Sequence, residues 1–256
     1  MDAQYAEEAA SMLFDARKTG KKFSEFPAKL KPKSIDDVRQ IQDAMDRRFP
    51  EPIVGYTCHT KPDAPLCYAP LYPSKLFQSG AKIRAEMALT ARIEAEITFR
   101  LIRDLPPRAT DYSDDEAMDA FEACVAYEIV ESQFLDLPKM ATSNLLEVYA
   151  DHMANGGFVL SEFRRDWRKV DFSKARVKMY QKDKALADQI CGHPNTQPGS
   201  PLPLFVNYMR TRTGLKKGMI IATGSFTSHR PMVYDVPVVA TIGDYGPCEV
   251  LIYTGS

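Results

Sequence analysis

Residues 92–99 form the segment that most constrains how this chain can fold. Apolar side chains occupy every second position of the segment: Ile93, Ala95, Ile97 and Phe99. This period of two predicts a β-strand, with Glu94 and Glu96 together on its other face and their Cα atoms about 6.5–7 Å apart. Carboxylates that close repel each other unless a cation lies between them, and a hard divalent ion with oxygen ligands meets that need. A half-exposed strand with two solvated glutamates fits the same pattern, so the segment alone leaves both interpretations open.

Composition narrows the functional class. The 256 residues include 33 basic and 34 acidic side chains, and the net charge of −1 gives no reason to expect a nucleic-acid or membrane partner. The five cysteines are widely spaced and form no C-x-x-C pair, which argues against structural zinc and a disulfide framework. No stretch approaches the roughly 20 apolar residues of a membrane span, and the first residues lack the apolar core of a signal peptide. We therefore expect a cytoplasmic protein.

Two helices are predicted at the start of the chain. Residues 3–19 have apolar positions at helical spacing and are followed by Gly20, which ends a helix readily. Ser34, with an acid three residues later, predicts the start of a second helix that continues to Phe49 and ends at Pro50. We interpret residues 1–52 as an N-terminal helical cap and residues 53–256 as a β-rich catalytic domain.

The rest of the chain is predicted to be mainly β. Residues 113–116 (SDDE) predict a capped helix running through Val125, and residues 127–131 predict the strand after it, which supplies a third acid, Glu128. Beyond residue 155 most segments favour strands, with one helix at 204–212. The expected fold class is α+β, with a mostly antiparallel β domain behind the helical cap.

Several motifs in collinear order carry a family resemblance. They are IQ (41–42), GY (55–56), IEAEI (93–97), EIVES (128–132), AD (150–151) and LKKGMIIATGS (215–225). As a set they resemble the 2-keto-4-pentenoate hydratase branch of the fumarylacetoacetate hydrolase superfamily. The resemblance implies a β-roll or incomplete barrel with a helical cap, and an Mg²⁺ or Mn²⁺ ion held by Glu94, Glu96 and Glu128. Three oxygen ligands leave positions open for water and a small 2-oxo acid.

The same resemblance suggests roles for other residues. Asp151 matches a family acid that positions or activates water, and Ser225 matches a hydroxyl that contacts substrate oxygen. A helix-end aspartate and an ordinary turn serine are the simpler readings. His59 and His152 are the histidines nearest the motifs and are candidates for acid–base work, although a lone histidine is more often structural. Relatives suggest a homo-oligomer.

The chain also departs from the family pattern. Thr57 stands where the family has a lysine that contacts substrate, and Gln133 stands where it has an arginine. A hydroxyl supplies no cation to a substrate carboxylate, so Lys61, four residues further on, becomes a candidate for that contact. A motif typical of the hydrolase members after the third ligand is missing, which disfavours C–C bond hydrolysis. Residues 195–201 extend a loop that is shorter in relatives. This loop is a candidate for reshaping the pocket mouth or an oligomer contact, and a tolerated surface loop is the simpler interpretation.

These observations predict a metal-dependent lyase that hydrates a small 2-oxo-alkenoic acid such as 2-keto-4-pentenoate. Decarboxylation of a 2-oxo-dicarboxylate of the oxalocrotonate type is an alternative that uses the same metal-bound keto acid. A second alternative is a family member that has lost catalysis and acts as a partner or scaffold, an interpretation motivated by Thr57 and Gln133.

Overall fold

Two β-sheets and two N-terminal helices make up most of the computed structural model, which describes residues 1–60 and 66–255. The helices are α1 (Ala3–Thr19), α2 (Ile35–Asp46), α3 (Asp114–Met118), α4 (Leu137–Ser143), α5 (Leu145–Ala150) and α6 (Leu202–Arg210). The strands are β1 (Gly55–His59), β2 (Cys67–Leu71), β3 (Leu76–Gln78), β4 (Ala81–Arg84), β5 (Arg92–Leu101), β6 (Phe121–Val130), β7 (Asn155–Leu160), β8 (Arg176–Gln181), β9 (Lys184–Ile190), β10 (Ile220–Ser225), β11 (Arg230–Pro231), β12 (Val238–Ile242) and β13 (Tyr245–Tyr253). Among the described residues, no helix combines the length and hydrophobicity that crossing a membrane requires.

The larger sheet has eight strands in the order β2-β1-β10-β5-β6-β7-β3, with β11 paired to β5. The smaller sheet has the order β4-β13-β12-β8-β9. Three pairs are parallel, β1 with β10, β3 with β7 and β4 with β13, and the remaining pairs are antiparallel. The larger sheet curls into a half-barrel, which confirms the predicted α+β class and its mostly antiparallel sheet.

The ladder between β5 and β6 is the centre of the fold. It pairs ten residues of each strand without interruption, from Arg92 opposite Val130 to Leu101 opposite Phe121. The apolar alternate positions of β5 are fully buried between the two sheets, in one cluster with side chains of β8, β12 and β13. The strand predicted from the alternation at 92–99 is therefore confirmed, and its other face carries Glu94 and Glu96.

The predicted helix through Val125 is wrong. A complete capping box between Ser113 and Glu116 does start a helix, but α3 ends at Met118 and the chain enters β6 at Phe121. From Phe121 onward the backbone pairs with β5, and from Ala126 to Val130 with β7 as well. Pairing within a central strand outweighs the local helical pattern.

The N-terminal helices follow the prediction closely. The side chain of Ser34 caps α2 by accepting a hydrogen bond from the amide of Asp37, and Gly20 ends α1 with a left-handed φ of 71°. Apolar residues of α1 and α2 form one buried cluster with residues that follow β6, among them Phe134 and Val148. The division of the chain at residues 52 and 53 stays a prediction.

Candidate metal centre

The three glutamates of the predicted site converge on one point. Glu94 of β5 lies directly opposite Glu128 of β6 in the ladder, and Glu96 follows two residues later on the same face. Each contributes one carboxylate oxygen to a group in which all three atoms lie within 4.8 Å of one another. The spacing of the sequence and the strand register together produce this arrangement.

Burial makes the cluster electrostatically costly without a cation. The exposed fractions of Glu94, Glu96 and Glu128 are 9%, 1% and 8%. Burial raises the pKa of Glu94 to about 7, although a hydrogen bond from Ser225 opposes the rise. For Glu96 and Glu128, burial and the neighbouring carboxylates raise the pKa well above the ordinary range.

The donor set fits a hard divalent cation. One oxygen of Glu96, Oε2, is buried and has no hydrogen-bond partner among the described residues. Three converging carboxylates with an unsatisfied oxygen match the oxygen-rich coordination of Mg²⁺, Mn²⁺ or Ca²⁺.

Two polar side chains, Asn155 and His229, lie next to the carboxylates of Glu128 and Glu94. Asn155, at the start of β7, donates from Nδ2 to Oε1 of Glu128 at 2.8 Å. His229, in the connection between β10 and β11, places Nε2 3.2 Å from Oε1 of Glu94, and about a third of its side chain is exposed. Burial and the nearby Arg92 lower the pKa of His229.

Ser225 lies beside two of the glutamates. It is the Cα partner of Glu96 across an irregularity in the pairing of β10 with β5, and its hydroxyl hydrogen-bonds Glu94. The same oxygen accepts the amides of Thr227 and Ser228 at 3.1 and 3.0 Å, which fixes the turn. Its predicted contact with substrate stays a prediction.

Asp151 is held by protein groups on both carboxylate oxygens. Oδ1 accepts a hydrogen bond from Arg17 at 2.8 Å, and Oδ2 accepts bonds from the amide of Gln133 at 2.7 Å and the hydroxyl of Ser132 at 3.3 Å. Burial raises the pKa of Asp151, and the cation of Arg17 opposes the rise. The role of Asp151 toward water stays a prediction, and in this structure the residue links the helical cap to the end of β6.

The remaining candidates occupy different places. His59 ends β1 and is partly buried, near His193, whereas Lys61 lies outside the described residues. His152 is buried with Nε2 2.9 Å from Oδ1 of Asp46 in α2, and burial lowers its pKa. This pair attaches the cap to the segment before β7.

Thr57, the position of the missing family lysine, shares a sheet face with the glutamates. It pairs with Ala222, which in turn pairs with Thr98, two residues from Glu96 on β5. Thr57 is 4% exposed. The same face continues into an apolar cluster formed by Leu71, Cys124, Ala126, Phe158, Leu160, Ile220 and Ala222.

Sequence reasoning missed His229 and Asn155. Both lie four residues after a recognised motif residue, Ser225 and Asp151 respectively. His229 reaches Glu94 because the chain turns after β10 and pairs Arg230 with Ile93. No local sequence pattern predicts this turn. Closeness in sequence to Ser225 and Asp151 is the only signal that could have suggested either residue.

No protein family model and no curated protein sequence matches the chain. Solved structures do match. 4-Oxalocrotonate decarboxylase from Pseudomonas putida G7 superposes with a TM-score of 0.79 in complex with calcium and acetate, at 16% identity over 98% of both chains. Its complex with magnesium and adipate gives 0.80 at 15% identity, again over 98% of both chains. Fumarylpyruvate hydrolase from Pseudomonas aeruginosa, with Mn²⁺ and pyruvate, gives 0.56 at 10% identity over 80% of this chain and 91% of that one.

The chain has the fold of 4-oxalocrotonate decarboxylase and fumarylpyruvate hydrolase. The fold implied by the motif resemblance is therefore confirmed, and the match to the decarboxylase extends through the helical cap as well as the half-barrel. At these identities the likeness concerns the fold, so the chemistry has to be argued from the site.

Proposed function

We propose that this protein is a divalent-metal-dependent lyase acting on a small 2-oxo acid. The observation that carries the proposal is the group of three buried carboxylates with oxygens within 4.8 Å of one another. Burying such a cluster is costly unless a cation balances it. Proteins with this fold form complexes with calcium, magnesium and Mn²⁺, which supports the same assignment.

Glu94, Glu96 and Glu128 would hold Mg²⁺ or Mn²⁺. The bound ion would supply a Lewis acid for the keto oxygen of the substrate. The protein contributes orientation, because Asn155 donates a hydrogen bond to the Glu128 carboxylate and His229 lies 3.2 Å from that of Glu94. We keep Ser225 and Lys61 as proposed substrate contacts, and Asp151 and His59 as proposed acid–base groups. A homo-oligomer and a cytoplasmic location remain predictions.

Hydration of a 2-oxo-alkenoate is the reaction that the motifs favour. Decarboxylation of a 2-oxo-dicarboxylate is the second candidate, because the decarboxylase structures align over 98% of both chains. Thr57 weakens the first candidate, since the lysine of the hydratase pattern is missing. The two reactions differ in the distal end of the substrate, where one adds water across a double bond and the other releases CO₂.

A melting experiment tests the metal site. The wild-type protein is purified free of metal and its melting temperature is recorded with and without Mn²⁺, alone and with oxalate as a mimic of the 2-oxo acid. A ligand that binds only the folded state raises stability by RT ln(1 + [L]/Kd), about 2.7 kcal/mol at 100 Kd. We expect a rise for the wild type and none for Glu96→Gln.

Glu122→Gln is the matched control. Glu122 also lies in the β5–β6 ladder, but its carboxylate pairs with Arg100, so this variant should respond to Mn²⁺ like the wild type. If Mn²⁺ shifts none of the three proteins, the metal-dependent assignment is wrong. With metal bound, CO₂ release and loss of the alkenoate are then measured separately. Turnover of neither substrate by a metal-binding protein would contradict the lyase proposal.

A further inference from the structure

Arg17 of α1 donates hydrogen bonds to the residues on either side of segment 152–154, which precedes β7. Nη2 donates to the carboxylate Oδ1 of Asp151 at 2.8 Å and to its backbone carbonyl at 3.0 Å. Nη1 donates to the backbone carbonyl of Asn155 at 3.2 Å. The Arg17 side chain is 15% exposed and that of Asp151 is 0% exposed, so the bonds are shielded from water.

Segment 152–154 has a backbone conformation that needs support. His152, Met153 and Ala154 have φ values of 46°, 60° and 60°, the left-handed region that residues other than glycine rarely occupy. Each such residue costs about 1–2 kcal/mol, and a run of three persists only where surrounding contacts enforce it. The bonds of Arg17 span this turn from the residue before it to the residue after it.

The turn delivers one side chain to the glutamate cluster. Asn155 leaves the turn into β7 and donates from Nδ2 to Oε1 of Glu128 at 2.8 Å. Its pairing with Val130 follows a register shift in the ladder between β6 and β7, so the regular ladder does not fix its position. The position of this amide therefore depends on the turn and on the guanidinium that holds it.

We propose that Arg17 is a positioning residue for the metal site, acting through the 152–154 turn and Asn155 on Glu128. The inference rests on the proposed function, since it assumes that Glu128 holds a divalent ion. If Arg17 has this role, the helical cap contributes to metal binding as well as covering apolar surface. Removing an outer partner of a metal ligand typically weakens metal affinity by about 10–100-fold.

Mn²⁺ affinity of the full-length protein is the direct test, measured by titration against the electron-paramagnetic-resonance signal of free Mn²⁺. We expect Arg17→Gln to raise the Kd for Mn²⁺ by about 10-fold or more. Arg17→Lys keeps the charge but has one nitrogen in place of two, so it should lie between wild type and Arg17→Gln. Each titration is run well below the melting temperature of that variant, so that folded protein is compared with folded protein.

Arg48→Gln is the matched control for a weakened cap. Arg48 of the same region bonds Glu7, Ser11 and the Ala44 carbonyl, all within the cap. The Arg48→Gln variant should be less stable than the wild type but have the same Kd for Mn²⁺. A double-mutant cycle with Asn155→Ala tests whether Arg17 acts through Asn155. If it does, Arg17→Gln should have little further effect on the Kd once Asn155 is absent.

Four results would overturn the inference. Equal loss of affinity in the Arg17 and Arg48 variants would mean that cap stability alone is responsible, and additive effects of Arg17→Gln and Asn155→Ala would show that the residues act separately. A wild-type protein that takes up no Mn²⁺ would overturn the proposed function and this inference together. Wild-type uptake that Arg17→Gln leaves unchanged would overturn this inference alone.

Discussion

At the scale of single residues, the glutamate cluster couples metal binding to pH. Burial raises the pKa of Glu94 to about 7, and burial with the neighbouring carboxylates raises the pKa values of Glu96 and Glu128 well above the ordinary 4.5. A carboxyl group with a raised pKa in the folded state stabilises the protein below pH 4.5. That contribution is lost as the pH rises through the folded-state pKa. The three glutamates should therefore lower the stability of the metal-free protein at neutral pH.

Glu96→Gln measures this loss of stability. The variant removes a carboxyl group whose pKa is raised on folding, so the metal-free variant should become more stable relative to the metal-free wild type as the pH rises from about 5 to 8. At about pH 8 we expect it to melt at least about 3 °C higher, equivalent to about 1 kcal/mol for a chain of this length. Melting scans of both proteins across this pH range, with chelator present, provide the measurement.

The difference between the two proteins is the quantity to follow, because buried His152 has a lowered pKa and contributes a pH dependence of opposite sign. That contribution is common to both proteins and cancels. Glu122→Gln is the control for loss of a β6 carboxylate outside the cluster. A constant difference between Glu96→Gln and wild type from about pH 5 to 8 would contradict the raised pKa of Glu96.

At the scale of elements, the sequence predicts what local patterns control. Alternation predicted β5, and capping residues predicted the start of α2 and α3, because each signal lies within a few neighbouring residues. The predicted length of α3 is wrong because pairing with β5 decides where β6 begins. The family motif supplied Glu128, whereas His229 and Asn155 were missed because a turn and a register shift bring them to the site.

The left-handed turn before β7 allows a test of backbone strain. Met153 has a φ of 60° and is partly buried, so glycine should relieve a cost of about 1–2 kcal/mol while adding about 0.5–1 kcal/mol of chain entropy in the unfolded state. We expect Met153→Gly to leave stability unchanged or raise it by up to about 1 kcal/mol. Urea unfolding of the full-length protein measures the change.

Met118→Gly is the comparison. Met118 is also partly buried but lies in α3, where glycine loses packing and adds only entropy, so that variant should be destabilised by about 1 kcal/mol or more. Equal destabilisation by the two substitutions would contradict a strained turn at residues 152–154.

At the scale of the whole molecule, the helical cap and the half-barrel share buried surface. Leu13 of α1 and Ile41 of α2 are fully buried in one cluster with Val130 of β6, Phe134 and Val148. The salt bridge of Arg17 to Asp151 and the contact of buried His152 with Asp46 cross the same boundary. Residues 1–52 and 53–256, although different in secondary structure, should therefore unfold together.

Leu13→Ala tests this cooperativity. Loss of a fully buried leucine costs about 2–5 kcal/mol, so the calorimetric transition should move down by roughly 2–4 °C per kcal/mol and stay single. Leu204→Ala, at a leucine that is 55% exposed, should change stability by no more than about 0.5 kcal/mol. Adding Mn²⁺ should raise the whole transition in both variants, because the cap and the glutamates belong to one cooperative unit. Two resolved transitions, of which only one responds to Leu13→Ala and the other to Mn²⁺, would instead show that the cap unfolds independently of the site.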